Sequence, residues 1–167
     1  MFEVEACTSG SEGLSYIRYM TLSHCWGSAE FIRLLMSNME EFRRGRPISS
    51  LPQNFRDAIA VTRRFSIRYL WIDSLCIIQD SVTDWKSESS MMRDVYANSV
   101  CNIAAAASQN PYQGLFRTRR LDEILRIVEA HWADRPKLSL LVNMDEGEYW
   151  LAQLDSAPLL RRGWVIQ

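Results

Sequence analysis

The sequence lacks the features that mark membrane, secreted or nucleic-acid-binding proteins. No apolar segment approaches the roughly 18 residues needed to span a bilayer. The segment Met1–Gly13 is acidic and has no apolar core, so we expect no secretory signal. Positive charge is not in excess, since 19 Lys and Arg stand against 20 Asp and Glu. A nucleic-acid binder would normally show a basic face. We therefore expect a cytoplasmic protein with no membrane span and no nucleic-acid partner.

Metal-binding and phosphate-binding patterns are also absent. The cysteines and histidines are Cys7, Cys25, Cys76, Cys101, His24 and His131. No two cysteines form a C-x-x-C pair, so we expect neither a metal site nor structural disulfides. The seven glycines form no Gly-rich phosphate loop, which argues against Walker and Rossmann nucleotide sites. No resident cofactor is predicted.

The pattern of apolar residues predicts a helix followed by a buried strand. We expect a helix over Phe31–Phe42, ended by Gly45 and Pro47. After Pro52, apolar residues recur at the i, i+3, i+4 spacing of a helix with one buried stripe. These stripe residues are Phe55, Ala58, Ile59, Thr62 and Phe65, and the residues expected on the other side are Arg56, Asp57, Arg63 and Arg64. The nearly continuous apolar run Arg68–Asp80 is typical of a strand buried on both faces.

The next segments repeat the alternation of helix and strand. We predict a helix from about Trp85 to Tyr96, with Thr83 or Asp84 as N-cap, and a strand within Ser99–Ala107. Strand, helix and strand in this order indicate a parallel crossover unit. Two short strands, Leu125–Val128 and Leu138–Val142, predict an antiparallel extension. The predicted fold class is α/β, with a mostly parallel central sheet flanked by helices and a small C-terminal β extension.

Two carboxylates in the apolar run Arg68–Asp80 are candidates for a binding site. An unpaired buried carboxylate costs several kcal/mol or more, so Asp73 in the middle of the run requires a partner or a function. Ser23 or a backbone amide is a candidate partner. Asp80 ends the run, where it either caps the following helix or lines a site. Ligands of open α/β sheets bind at the carboxyl ends of strands.

Glu88 is the candidate catalytic residue. It lies three residues after Trp85 and four before Met92, which places it on the apolar face of its helix. A glutamate in such a position is uncommon unless it is paired or functional. The alternative is an ion pair with Arg68 or Arg93.

The segment Ser23–Gly27 supplies further candidates. His24 and Cys25 are adjacent, so in a strand they point to opposite faces and do not form a catalytic dyad. Gly27 after Trp26 predicts a tight turn or a close backbone approach. Trp26 is either a core residue or a surface on which a ring stacks.

Taken together, several motifs resemble the HET domain, the heterokaryon incompatibility domain of filamentous fungi. The motifs are Tyr19–Gly27, Leu51–Ile59, Arg68–Asp80, Asp84–Glu88, Met92, Val95, Tyr96, Gly114–Phe116 and Arg162–Gln167. The resemblance covers the chain from about Tyr19 to the end. We expect one domain over residues 1–167, with residues 1–18 as a leader and a C-terminal truncation after Gln167, because the family continues beyond this point.

The resemblance implies a role in fungal non-self recognition and in the cell death that follows hyphal fusion. HET domains are also proposed to be distant relatives of TIR domains, so it further implies a TIR-like or flavodoxin-like sheet. Some TIR domains cleave NAD with one glutamate that follows a tryptophan on a helix. Trp85-Lys-Ser-Glu88 resembles that arrangement, with a spacing that differs by about a residue.

The leading interpretation is an NAD glycohydrolase in which Glu88 is catalytic and Ser23, Trp26, Gly27, Asp73 and Asp80 bind the nucleotide. NAD is then a substrate and not a cofactor. The alternative is a signalling module without catalysis, which associates with itself or with other incompatibility proteins and uses Asp73 and Glu88 as structural carboxylates.

Overall fold

The computed structural model of the protein describes residues 2–3, 17–118, 125–130, 138–143 and 157–161. The strands are β1 (Phe2–Glu3), β2 (Tyr19–Ser23), β3 (Tyr69–Ile72), β4 (Cys101–Ala104), β5 (Leu125–Ala130) and β6 (Leu138–Asn143). The helices are α1 (Met39–Arg43), α2 (Gln53–Arg64), α3 (Asp73–Cys76) and α4 (Val82–Ala97), with short 3-10 helices at Ile48–Ser50 and Pro158–Arg161.

Strand β2 is at the centre of the main sheet, whose strand order is β1-β3-β2-β4. It pairs in parallel with both neighbours, so that Met20 lies opposite Leu70 on one side and Cys101 on the other. Strand β1 joins the edge antiparallel to β3. Three of the four strands are thus parallel, which confirms the predicted α/β class. The segment predicted as a leader contributes β1 to this sheet.

One face of the sheet packs against α2 and forms the core. Leu22, Leu70 and Ile72 on the strands and Phe55 and Ala58 on α2 are buried there. The amphipathic helix predicted after Pro52 is therefore confirmed. Two details of that prediction are wrong. Phe65 is exposed, because α2 ends at the preceding residue, and Asp57 is buried where an exposed residue was expected.

Helix α4 covers the opposite face. The Tyr19 hydroxyl donates to the carbonyl oxygen of Val95 at 2.7 Å, and the rings of Trp71 and Tyr96 meet edge-on with centroids 5.5 Å apart. The connection through α2 leads from β2 to its neighbour β3 on one side. The connection through α4 runs in the opposite direction across the sheet, from β3 past β2 to β4. Right-handed crossovers in opposite directions place their helices on opposite faces.

Helix α4 also begins earlier than predicted. It starts at Val82 and not near Trp85, and its N-cap is Ser81, whose hydroxyl accepts from the Asp84 amide at 3.3 Å. Neither Thr83 nor Asp84 is the N-cap. Asp84 instead accepts from the Ile78 amide at 2.7 Å, which fixes the turn before the helix.

The run Arg68–Asp80 is not one strand. Strand β3 ends at Ile72, and Asp73–Cys76 forms one helical turn, closed by the Ile77 amide donating to the Asp73 carbonyl at 3.1 Å. This turn brings the chain across the carboxyl edge of the sheet. Asp73 therefore lies at that edge and not in mid-strand.

The helix predicted over Phe31–Phe42 is mostly absent, since α1 spans only Met39–Arg43. The preceding backbone pairs with the segment after β3 instead. The Leu34 amide donates to the Ser74 carbonyl at 2.8 Å, and the Gln79 amide donates to the Leu34 carbonyl at 2.9 Å. These long-range bonds replace the helical ones.

The later elements agree with the predictions in outline. The strand predicted within Ser99–Ala107 is β4, and the predicted antiparallel extension is the pair β5 and β6, which form a separate two-stranded sheet. The motif Arg162–Gln167 lies outside the described residues. In the part of the chain that the structure describes, no helix is long and apolar enough to cross a membrane.

Candidate functional site

The candidate site lies where the connections after two neighbouring strands diverge. Strands β2 and β3 are adjacent and parallel, and their last paired residues are Leu22 and Ile72. From β2 the chain turns towards the α2 face, and from β3 it turns towards the α4 face. Open α/β sheets bind ligands in the crevice formed at such a point. We call the residues at this point, Ser23–Gly27 and Asp73, the β2/β3 crevice.

Asp73 is the centre of the crevice and is buried. One carboxylate oxygen, Oδ2, accepts from Trp26 Nε1 at 3.1 Å, and the other, Oδ1, accepts from the Ser74 amide at 2.7 Å. His24 Nδ1 lies 3.8 Å from Oδ1. The prediction that Asp73 requires partners is confirmed, and a backbone amide is one of them.

His24 was missed as part of this group. Its side chain is completely buried, and its ring meets Phe55 and Phe31 edge-on, with centroid distances of 5.1 and 6.1 Å. His24 follows β2 and points to the same face as Leu22, which is why it contacts the core helix. Its distance from Asp73 could have been expected once β2 and β3 were recognised as neighbours, because both residues follow the last paired row.

Trp26 and Gly27 are the residues of the β2/β3 crevice that solvent reaches. The Trp26 ring is half-buried and meets Phe31 edge-on, with centroids 5.5 Å apart. Gly27 has a φ of 63°, and a Cβ atom there would lie 2.7 Å from the carbonyl oxygen of Gln109. Both a positive φ and this close approach require glycine. The predicted tight turn and close backbone approach at Gly27 are confirmed.

Ser23 lies next to Asp73 but does not contact it. Its hydroxyl donates to Asn102 Oδ1 at 3.2 Å, and the same oxygen accepts from the Thr21 hydroxyl at 3.1 Å. Ser23 and Thr21 are buried, whereas Asn102 is exposed on the edge strand β4. Ser23 as partner of Asp73 is therefore wrong, since its hydroxyl points to the α4 face and towards β4.

Asp80 lies farther along the same edge of the sheet. It is exposed, and its Oδ1 accepts from the Met36 amide at 2.8 Å, so it holds the loop before α1 and does not cap α4. An open depression of about 390 Å³ adjoins it. Its lining residues are Gln79, Asp80, Ser81, Val82 and Trp85, and we call it the carboxyl-edge depression.

Glu88 is one turn beyond Trp85 on α4. It is half-buried, as are Asp84, Met92 and Val95, so it belongs to the stripe of α4 that faces the sheet. Trp85 itself is exposed and lies outside this stripe. Within the described residues Glu88 forms no salt bridge, so the predicted ion pair with Arg68 or Arg93 is absent. Arg93 is exposed, and Arg68 packs over the Tyr69 ring.

Two side chains of α2 bind the backbone of the loop that packs against the crevice. We call this arrangement the clamp, and the sequence analysis did not predict it. Asn54 Oδ1 accepts from the Gly114 amide at 2.7 Å, and Asp57 Oδ2 accepts from the Leu115 amide at 2.8 Å. The loop held in this way includes Gln109, against which Gly27 packs. The first turns of α2 therefore fix the position of the Trp26–Gly27 turn. The motifs Leu51–Ile59 and Gly114–Phe116 are the two sides of this clamp.

Two of the three cysteines that the structure describes, Cys25 and Cys76, are poor candidates for a nucleophile. Cys25 is buried, and burial raises the pKa of the Cys76 thiol above its ordinary value, which favours the neutral form. Among the described residues, no group of three or more His, Cys, Asp or Glu side chains is arranged to hold a metal ion.

Comparison with known proteins identifies the family. A protein-family model described as heterokaryon incompatibility protein (HET) matches residues 19–167. No curated protein and no solved structure matches the chain. The matched region begins at β2, includes the β2/β3 crevice and the clamp, and spans most of the chain. The protein belongs to the heterokaryon incompatibility (HET) family.

Proposed function

We propose that this HET domain is a cytoplasmic cell-death effector in fungal non-self recognition, and that it cleaves NAD at the nicotinamide–ribose bond. Membership of the family supports the role in heterokaryon incompatibility. The observation that carries the enzymatic part is the position of Glu88. It is a half-buried carboxylate on the sheet-facing stripe of α4, the helix that begins at the carboxyl edge beside the crevice.

In this proposal the nucleotide occupies the β2/β3 crevice. Trp26 and Gly27 contact the nucleotide, and the buried Ser23 supports them from the end of β2. Asp73 holds Trp26 through the indole N–H, and Asp80 lies at the rim. The Trp26 Nε1 atom is already bonded to Asp73, so only the face of its ring remains for contact with a planar group. Asp73 acts as a positioning residue, because its oxygens are used by protein donors.

The chemistry requires one carboxylate. The bond between ribose C1′ and the nicotinamide nitrogen breaks, and its electron pair stays on the nitrogen, so nicotinamide leaves as a neutral molecule. Water then bonds to C1′ and loses a proton, which gives ADP-ribose. The ribosyl centre is oxocarbenium-like between these steps, and a nearby carboxylate stabilises its positive charge. We assign this role to Glu88.

The experiment is nicotinamide release from NAD by the purified protein and by Glu88→Gln, with Asp94→Asn as matched control. Asp94 is an exposed carboxylate on the same helix. We expect Glu88→Gln to lower turnover by at least about 100-fold, the size typical for loss of a charge-stabilising group, while Asp94→Asn retains activity. Equal activity of the three proteins, or no release by the wild type, contradicts the enzymatic proposal.

The alternative function is a signalling module that acts by association and without catalysis. One observation favours it: α4 has 16 residues and none of them is buried. Its exposed side chains are therefore open to a partner, either a second copy or another incompatibility protein. In that case Glu88→Gln leaves cell death unchanged in the fungus, whereas loss of association abolishes it.

A further inference from the structure

Two exposed apolar features lie at opposite ends of the main sheet. The first is the carboxyl-edge depression, where the side chains of Val82 and Trp85 are 71% and 52% exposed. Met36 is also exposed and is tied to this edge through its amide, which donates to Asp80. Tryptophan and methionine in exposed positions are enriched in protein interfaces. The depression is open, so it fits a protruding side chain better than a buried small molecule.

The chemistry of the depression favours a cation beside an apolar group. The carboxylate of Asp80 is exposed, and the Met36 amide binds only one of its two oxygens. The indole of Trp85 provides an electron-rich ring in the same depression. An arginine is suited to both, because its planar guanidinium pairs with carboxylates and stacks on aromatic rings.

The second feature is the turn between α2 and β3, which we call the α2–β3 corner (Arg64–Ser66). Phe65 is 64% exposed there, and the preceding Arg64 is also exposed. The corner is rigid in its backbone: the Ser66 amide donates to the Arg63 carbonyl at 2.9 Å, and the Ile67 amide to the Thr62 carbonyl at 3.1 Å. Ser66 has a φ of 54°, which turns the chain sharply and leaves Phe65 at its tip.

These two features cannot meet within one molecule. Helix α2 connects the carboxyl end of β2 to the amino end of β3, so its C-terminus and the corner lie at the amino edge of the sheet. The depression follows β3 and lies at the carboxyl edge. An arginine with a neighbouring aromatic ring is thus presented at one end, and a carboxylate with an exposed indole at the other.

We propose that copies of this chain associate head to tail, with the α2–β3 corner of one copy in the carboxyl-edge depression of the next. Arg64 pairs with the partner copy's acidic depression, and Phe65 packs against its apolar rim. Such a contact joins two different surfaces, so it produces an open chain of copies or a closed ring, not a symmetric dimer. The proposal shares Asp80 with the rim of the proposed nucleotide site but uses neither Glu88 nor the crevice, and its test measures association and not NAD cleavage.

The test uses two variants, each with one surface removed. Trp85→Ala removes the depression, and Phe65→Ser removes the tip of the corner. Both side chains are more than half exposed, so we expect both variants to keep the wild-type thermal unfolding temperature. Met91→Ala, an exposed apolar position elsewhere on α4, is the matched control. The size of each protein is measured by sedimentation velocity over increasing concentration and at two salt concentrations.

We expect the wild type and Met91→Ala to grow beyond dimers with concentration, and less so at high salt. Each surface variant alone should associate at least about 10-fold more weakly, as for interface residues that carry binding energy. An equimolar mixture of the two variants should form dimers and stop there, because each variant retains the surface that the other lacks.

Three results overturn the proposal. One is a wild-type chain that stays monomeric at the highest concentration reached. Another is association of either surface variant as strong as that of the wild type. The third is an equimolar mixture that forms no dimer, since this would mean that the two surfaces do not bind each other.

Discussion

The two faces of the main sheet differ in how they hold their helices. Six residues of α2 are buried, whereas the longer α4 has none. Part of the cause lies in the strands. The α2 face presents Leu22 and Leu70, whereas the α4 face presents the buried Trp71 beside Thr21 and Ser23, whose hydroxyls bind Asn102. Burial of apolar area is the main source of stability. The α2 face therefore contributes more of the stability of the domain than the α4 face does.

The largest expected effect comes from removing one apolar side chain from each helix and comparing the two losses of stability. Phe55→Ala on α2 should lower the free energy of unfolding by about 3–5 kcal/mol, because Phe55 is fully buried. Met92→Ala on the half-buried stripe of α4 should cost about 1 kcal/mol. Urea unfolding of both variants measures the two losses. Equal losses would mean that α4 covers a second core.

Removing one side chain of the clamp should lower the free energy of unfolding by less than the loss of Phe55. Asp57→Ala leaves the Leu115 amide without its acceptor and should cost about 1–3 kcal/mol. The matched control is Asp94→Ala, an exposed carboxylate on α4, which should stay within about 0.5 kcal/mol of the wild type. Thermal and urea unfolding of both variants provide the comparison. A loss at Asp94 as large as that at Asp57 would contradict the assignment of stability to the α2 side.

The smallest effect concerns the pH dependence of stability. Burial raises the pKa of the Cys76 thiol from its ordinary value of 9.0, so above about pH 9 the unfolded chain loses this proton before the folded chain does. The free energy of unfolding should therefore fall as the pH rises above 9. In Cys76→Ala this fall should be shallower. Burial also raises the pKa of Tyr19 from 10.0, and its contribution remains in both proteins. An unchanged slope would contradict a raised pKa of the Cys76 thiol in the folded protein.

The spacing of apolar residues along the chain was sufficient to predict the main helix of the core and the parallel sheet. The stripe on α2 predicted its buried face, and the strand–helix–strand order predicted a parallel sheet, because both depend on the spacing of apolar residues. The same information identified Asp73 as a carboxylate that requires partners. Its donors, Trp26 and Ser74, are consistent with that expectation.

Long-range contacts account for the predictions that were wrong. The apolar residues Phe31 and Leu34 have helical spacing, yet Phe31 packs on His24 and Trp26, and Leu34 pairs with Ser74 and Gln79. A charged residue such as Asp57, opposite the apolar stripe of a helix, is expected to be exposed. Asp57 is buried instead, because a loop more than fifty residues away supplies an amide that it binds. Spacing along the chain contains no information on such partners, so the clamp could not be predicted from it, and the contact of His24 with Asp73 follows only once β2 and β3 are known to be neighbours.

The central position of β2 also has a consequence for synthesis. Strand β2 comes first among the parallel strands, and both of its partners follow it, with β3 ending at Ile72 and β4 at Ala104. At about 5–20 residues per second, roughly 2–10 s pass on the ribosome before β3 has been made, and β4 takes several seconds more. During this interval the apolar residues of β2 have no sheet to join. The nascent domain therefore leaves these residues unpaired for longer than a domain built from hairpins, in which the partner strand follows after a short turn.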